Sequence, residues 1–174
     1  MLQNILKKSF SSNIKRLGVV GAGQMGTGIG IVGSRVAGLD VTFVDPSEKS
    51  LLGAQKMINS WCDKEIGKER MTAQDKADVM GRIKFADSIQ SLTDVDFVVE
   101  AASENFDLKK KIFEHLAANT PEHAILATNT SSISITKIAG VIPQRAHQVI
   151  GMHFMNPVPV MKLIEVINAL QTSD

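Results

Sequence analysis

His153 and Glu165 stand twelve positions apart in GMHFMNPVPVMKLIEVI, Gly151 to Ile167, and together they are suited to moving a proton. Histidine is the side chain whose ordinary pKa lies nearest neutrality, and a carboxylate on one ring nitrogen fixes its tautomer and stabilises its charged form. His153 ends an apolar run, Val149-Ile150-Gly151-Met152, that reads as a buried strand. Asn156-Pro157-Val158-Pro159 reads as a turn, and Leu163-Ile164-Glu165-Val166-Ile167 as a second strand with a carboxylate in its middle. A carboxylate there is costly to bury without a partner, and the turn is able to bring the two strands side by side. Two readings stand at this point: a general base with its orienting acid, or a core His satisfied by a Glu, because buried polar groups are ordinarily paired.

A second constellation lies near the start. Gly21-Ala22-Gly23-Gln24-Met25-Gly26 is a G-x-G-x-x-G directly after the apolar run Arg16–Val20 and at the start of a helical pattern. The first glycine permits a tight turn, the second lets backbone approach a pyrophosphate, and the third lets helix and sheet pack closely. The helix N-terminus offers its unpaired N–H groups to phosphates, which also accounts for the lack of acids nearby. Asp45 ends the next strand nineteen residues beyond Gly26. A carboxylate there can bind both ribose hydroxyls of NAD and would repel a 2′-phosphate; the plainer alternative is a helix N-cap.

The elements that must position these residues alternate between strand-length apolar runs and longer helical patterns, which predicts a βαβ series and a parallel sheet. Strands are expected at Arg16–Val20, Val41–Val44, Ile83–Ala86, Asp96–Glu100 and Ala124–Ala127. Helices are expected over Met25–Ala37 with Gly38 as its C-cap, over Ser47 to about Gly67, and from a Thr72-x-x-Asp75 capping box to about Gly81. Leu108, Ile112, Phe113 and Leu116 mark the inner face of a further helix, and Ser134–Ala139 a short one.

With 174 residues the chain is long enough to bury one core, and no repeat or linker divides it. Its net charge of +1 gives no reason to expect a nucleic-acid partner. A lone Cys62 excludes an internal disulfide and a Cys-built zinc cage, and no His spacing suggests a metal site. No apolar run approaches the ~18 residues of a membrane span. Residues 1–15 carry Lys7, Lys8 and Lys15 but no acid, with Leu2, Ile5, Leu6 and Phe10 able to share one helical face. That start reads as a mitochondrial transit peptide or, failing that, a disordered basic arm in a cytoplasmic protein.

Taken together, GAGQMG, VDFVVEAASEN, ATNTSSISIT and GMHFMNPVPVMKLIEVI resemble the NAD-binding domain of the L-3-hydroxyacyl-CoA dehydrogenase family, which includes 3-hydroxybutyryl-CoA dehydrogenases. The resemblance implies an α/β, Rossmann-type, doubly wound and mostly parallel sheet over residues 16–174. It implies NAD as cofactor and oxidation of an acyl-CoA substrate, with a homodimer for the full-length protein. It places the catalytic dyad at His153 and Glu165 and a substrate-hydroxyl contact at Ser131, with Ser132 free to cap the following helix. Gly21, Gly23, Gln24, Met25, Gly26, Asp45, Glu104, Lys109 and Asn156 fall at positions that bind or flank the cofactor. Taken alone, Glu104 and Lys109 would pass for surface charges and Asn156 for part of an Asn-Pro turn. Lys68 matches a lysine that reaches the CoA phosphates. The family's C-terminal helical domain has no counterpart here, so Asn168–Asp174 reads as the start of a loop and helix cut short. The alternative function is an NAD-binding module that needs a separate domain for activity.

Overall fold

The apolar runs assemble into one seven-stranded sheet. The computed structural model describes residues 14–173, so all but the last two residues of the basic arm expected over residues 1–15 lie outside the described residues. Six strands are parallel: β1 (Arg16–Val20), β2 (Asp40–Val44), β3 (Ile83–Ala86), β4 (Phe97–Glu100), β5 (Ile125–Thr128) and β6 (Val149–Phe154). The last, β7 (Ile164–Asn168), runs antiparallel to β6. Strand order is β3-β2-β1-β4-β5-β6-β7, so the chain winds outward from β1, crosses back, and winds out the other way from β4. In such a doubly wound sheet ligands bind at the reversal, beyond the carboxyl ends of the strands.

Alternate residues of each strand feed two cores, as the pleat requires. Val98, Leu126 and Val149 pack with Phe113 and Leu116 of α4 (Phe106–Asn119) and Ile138 of α5 (Ile135–Ala139). On the other face Val19, Phe43, Val99 and Ala127 pack with Ile29 of α1 (Gln24–Arg35) and with Ile58 and Cys62 of α2 (Glu48–Gly67). The short α3 (Ala73–Gly81) leads into β3, opened by the expected Thr72–Asp75 capping box.

Several local expectations differ from the structure. Ser134, not Ser132, caps α5: its hydroxyl stands next to the first helical residue and accepts from the Lys137 amide, while the Ser132 hydroxyl donates to Glu104. Ser47 rather than Asp45 caps α2. The buried stripe of α4 is Lys109, Ile112, Phe113 and Leu116, while Leu108 is exposed. Strand β7 is an edge strand whose residues are largely exposed, so Glu165 is not buried as its apolar neighbours suggested. Asn168 ends β7, and residues 169–173 start no helix; they form a turn held by Ser173 N–H to the His147 carbonyl and Thr172 Oγ1 to the Val149 carbonyl.

Candidate functional site

The turn from β1 to α1 is shaped by its glycines. Gly21 has φ of +100°, a region that side chains disfavour, and a Cβ on Gly26 would lie 1.8 Å from the Gly21 carbonyl oxygen. A Cβ on Gly23 would meet nothing within 4 Å, which leaves the middle of the turn open to an approaching group. Gly23 caps α1 without a side chain, no acid sits in the first turn, and the first intrahelical bond is Thr27 N–H to the Gly23 carbonyl. The amides of the first helical turn, Gln24 to Gly26, are therefore available to an anion. Asp45 accepts from Ala22 N–H at 2.9 Å through Oδ2 and from Ser47 N–H at 2.9 Å through Oδ1, which holds its carboxylate beside the turn.

At the other end of the sheet, antiparallel pairing sets His153 of β6 directly opposite Glu165 of β7. His153 Nδ1 and Glu165 Oε2 are 2.8 Å apart, and Nε2 has no partner among the described residues. His153 is 25% exposed and Glu165 52%, so the pair lies at a cleft surface, not in a core. Asn129, after β5, accepts the Phe154 amide and fixes the level at which β6 delivers His153. Asn156 Oδ1 accepts from Gln24 Nε2 at 3.1 Å, joining the loop after the histidine to the first turn of α1.

Between these ends stands a charge cluster that the residue pattern did not disclose. Glu100, at the end of β4, and Lys109, one turn into α4, are both wholly buried. Lys109 Nζ lies 2.8 Å from each carboxylate oxygen of Glu100 and 3.6 Å from Glu104 Oε2. Glu100 also accepts from Thr128 Oγ1 at 2.6 Å and from the Ala102 amide at 2.7 Å. Glu104 accepts from Thr130 Oγ1, from the Ser131 and Ser132 amides and from both serine hydroxyls. Partial burial alone would raise the Glu104 pKa, but the bonds from Thr130 and Ser131 and the charge of Lys109 outweigh it and hold the carboxyl below its usual range. Lys109 is thus no surface charge. A signal was present: position 109 continues the 112, 113, 116 stripe back one turn, and a stripe carries inward whatever residue occupies it.

Two neighbouring cavities lie over these parts. A cavity of about 610 Å³ is lined by Gly21, Gly23, Asp45 and Ser50 on one side and by Ala101 and Ala102 on the other. A second, of about 350 Å³, is lined by Met25, Glu104, Asn129, Ser131, His153 and Asn156 and shares that Ala101–Ala102 wall. The open glycine turn, free helix amides and strand-end carboxylate of the first cavity fit the pyrophosphate and ribose of a dinucleotide, with the second cavity adjoining on the His153 side. Lys68 stands apart: it follows α2, pairs with Glu65 at 3.4 Å, and lines neither cavity. Among the described residues no His/Cys/Asp/Glu group could hold a metal ion, and no helix is long and apolar enough to cross a membrane.

Comparison with known proteins bears on the family and the fold. The profile of the family described as 3-hydroxyacyl-CoA dehydrogenase, NAD binding domain, matches residues 16–174. A 3-hydroxybutyryl-CoA dehydrogenase of Bradyrhizobium diazoefficiens is 42% identical over 161 residues, which cover 92% of this chain and 54% of that protein. A probable 3-hydroxyacyl-CoA dehydrogenase of Caenorhabditis elegans is 38% identical over 96% of this chain and 57% of its own length. The crystal structure of (S)-3-hydroxybutyryl-CoA dehydrogenase from Ralstonia eutropha superposes with a TM-score of 0.89 at 48% identity, covering 93% of this chain and 56% of that one. The chain therefore spans a little over half the length of these relatives.

Proposed function

Because this chain belongs to the NAD-binding domain family of the 3-hydroxyacyl-CoA dehydrogenases, we propose that it supplies the cofactor cleft and the proton-transfer dyad for oxidation of L-3-hydroxyacyl-CoA to 3-ketoacyl-CoA. Bound NAD supplies the hydride acceptor. The remaining work falls to side chains of this chain. His153 Nε2 takes the hydroxyl proton as hydride leaves the carbinol carbon, and Glu165 on Nδ1 holds the ring in the tautomer that leaves Nε2 able to accept. Ser131 bonds the substrate oxygen. Asp45 holds the adenosine ribose, the Gly21–Gly26 turn faces the pyrophosphate, and Asn156, Glu104 and Lys109 line or support the nicotinamide end. In the resemblance Lys68 reaches the CoA phosphates; its pairing with Glu65, away from both cavities, lends that role no support.

The observation that carries this reading is the placing of two neighbouring cavities, one at the glycine turn and Asp45 and one at His153, on either side of a shared Ala101–Ala102 wall. The test is a fluorescence titration of the 174-residue chain with NADH. Saturable binding is expected, weaker for NADPH, and Asp45→Ala should raise the NADH Kd at least tenfold, or about 1.4 kcal/mol. Equal affinity of parent and variant would remove Asp45 from the ribose site.

A second reading is an NAD-binding module without turnover of its own. It draws on the exposure of Glu165 and the apolar side chains of β7, which leave the dyad beside an uncovered surface. Reduction of acetoacetyl-CoA by the chain alone, at the rate of a full-length relative, would exclude it. Delivery to a mitochondrial matrix rests on the acid-free basic start; the relatives compared, two bacterial and one nematode, lend it no support. Sequencing the N-terminus of the protein from its native cell decides that point, and an intact Met1 would rule out cleavage.

A further inference from the structure

Glu100 touches neither cavity directly, yet it is among the most completely buried charged groups of the described chain. Burying a carboxylate and an ammonium together costs several kcal/mol per ion before their attraction is counted, and apolar residues in such places commonly do as well for stability. The geometry of this pair is directional, not merely neutralising. All four acceptor positions of Glu100 are used: two by Lys109, one by the Thr128 hydroxyl and one by the Ala102 amide. Two of the three ammonium protons of Lys109 are thereby committed, and the third side of the ammonium faces Glu104. Glu104 in turn gathers the Thr130–Ser132 loop through two amides and three hydroxyls.

We propose that Glu100 is a positioning residue: it locks Lys109 in the one orientation that presents its ammonium to Glu104, and through Glu104 it holds the Ser131 loop and the Ala101–Ala102 wall in the shape the cofactor groove requires. The chain of contacts runs from β4 to α4, on to the loop before α4, and across to the end of β5. Two strand ends on one side of the reversal are thus set by a single buried carboxylate. Lys109 has two carboxylates and one charge, so the cluster carries a net negative charge, and the half-exposed Glu104 is the member able to share it with solvent or ligand. The inference rests on the reading that the groove takes NAD and that the Ser131 loop forms part of its site.

The test uses the 174-residue chain with Glu100→Gln, which keeps the volume but removes the charge and places an amide donor among groups that already donate. Three readouts are taken: thermal unfolding, NADH titration, and the amide proton shifts of Ser131 and Ser132 without ligand. Both amides are expected to move well beyond those of β2, which lies on the far side of β1, and the NADH Kd to rise about tenfold. Unmoved amides would overturn the proposal whatever happens to stability. So would moved amides with unchanged NADH affinity, since the loop would then be held for packing alone. Should Glu100→Gln fail to fold, Thr128→Val removes one bond onto Glu100 at nearly constant volume; the same shifts, with a two- to fivefold loss of affinity, are expected, and their absence is equally fatal. Failure of the unsubstituted chain to bind NADH would refute the functional reading, and the amide shifts would still decide whether Glu100 sets the loop.

Discussion

At the scale of single residues the dyad is set by register. His153 faces Glu165 because β6 and β7 pair antiparallel with those two residues opposed, and a slip of one residue would send one side chain to the other face of the sheet. Neither side chain is fully buried. In a form of the protein that shows turnover, His153→Ala should lower kcat by about 10²–10⁴-fold, the usual worth of a positioned general base, and leave NADH affinity within about twofold. Glu165→Gln should cost less, since the histidine keeps a partner but loses stabilisation of its charged form. Steady-state kinetics beside NADH titration separate these outcomes from misfolding, which would abolish both.

At the scale of elements two junctions invite direct tests. The β1–α1 turn separates packing from binding within four residues. Gly26→Ala drives a Cβ into the Gly21 carbonyl at 1.8 Å and should prevent a stable fold. Gly23→Ala meets nothing in the protein, so its Tm should stay within about 2 °C of the parent while the NADH Kd rises at least tenfold. Differential scanning fluorimetry with NADH titration gives both numbers. At the amino ends of the central strands, Asp96 precedes β4 and accepts the amides of Lys15 and Arg16 at 2.8 and 2.9 Å, tying the start of β1 to its neighbour. Those bonds, the Lys15 amide foremost, outweigh partial burial and hold the Asp96 carboxyl below its ordinary value of 3.8. A carboxyl depressed by folding stabilises fully above the unfolded pKa and loses that stabilisation as pH falls through the folded one. Asp96→Asn should therefore cost about 1–2 kcal/mol at pH 7 and progressively less below pH 4, as read from denaturant midpoints.

At the scale of the whole molecule the sheet ends in an edge strand that carries exposed Val166 and Ile167, next to exposed Val160, Met161, Leu163 and Leu170. An apolar edge with unpaired backbone groups is a template for association. The chain should self-associate as its concentration rises, and Val166→Lys should suppress this in sedimentation velocity without altering NADH affinity. That strand also carries Glu165, so the same surface that invites association lies beside the dyad. Relatives nearly twice as long show that chains of this family commonly continue beyond the matched domain.

Much of the architecture could be read from local pattern. Short apolar runs, the β1–α1 glycine turn, the Thr72–Asp75 box and a carboxylate nineteen residues beyond Gly26 depend on the order of neighbours along the chain, and each was found within a residue or two of where that order implied it; the expected Gly38 cap was not, since α1 ends at Arg35 with Val36 as its C-cap. The parallel βαβ sheet follows from them, and the resemblance added its doubly wound order. Exposure of β7 did not follow, because an apolar strand reads the same at an edge as at a centre and only the strand order tells the two apart. Nor did the burial of Glu100, Lys109 and Arg145, since a charged residue enters a core only where partners from distant segments meet it. Lys109 meets its carboxylates across the strand end, and Arg145 donates to carbonyls of Thr120, Pro121 and Ala124 more than twenty positions away. Chemistry written in consecutive residues was legible; chemistry made by convergence had to wait for the fold, because burial and partnership are properties of neighbours in space.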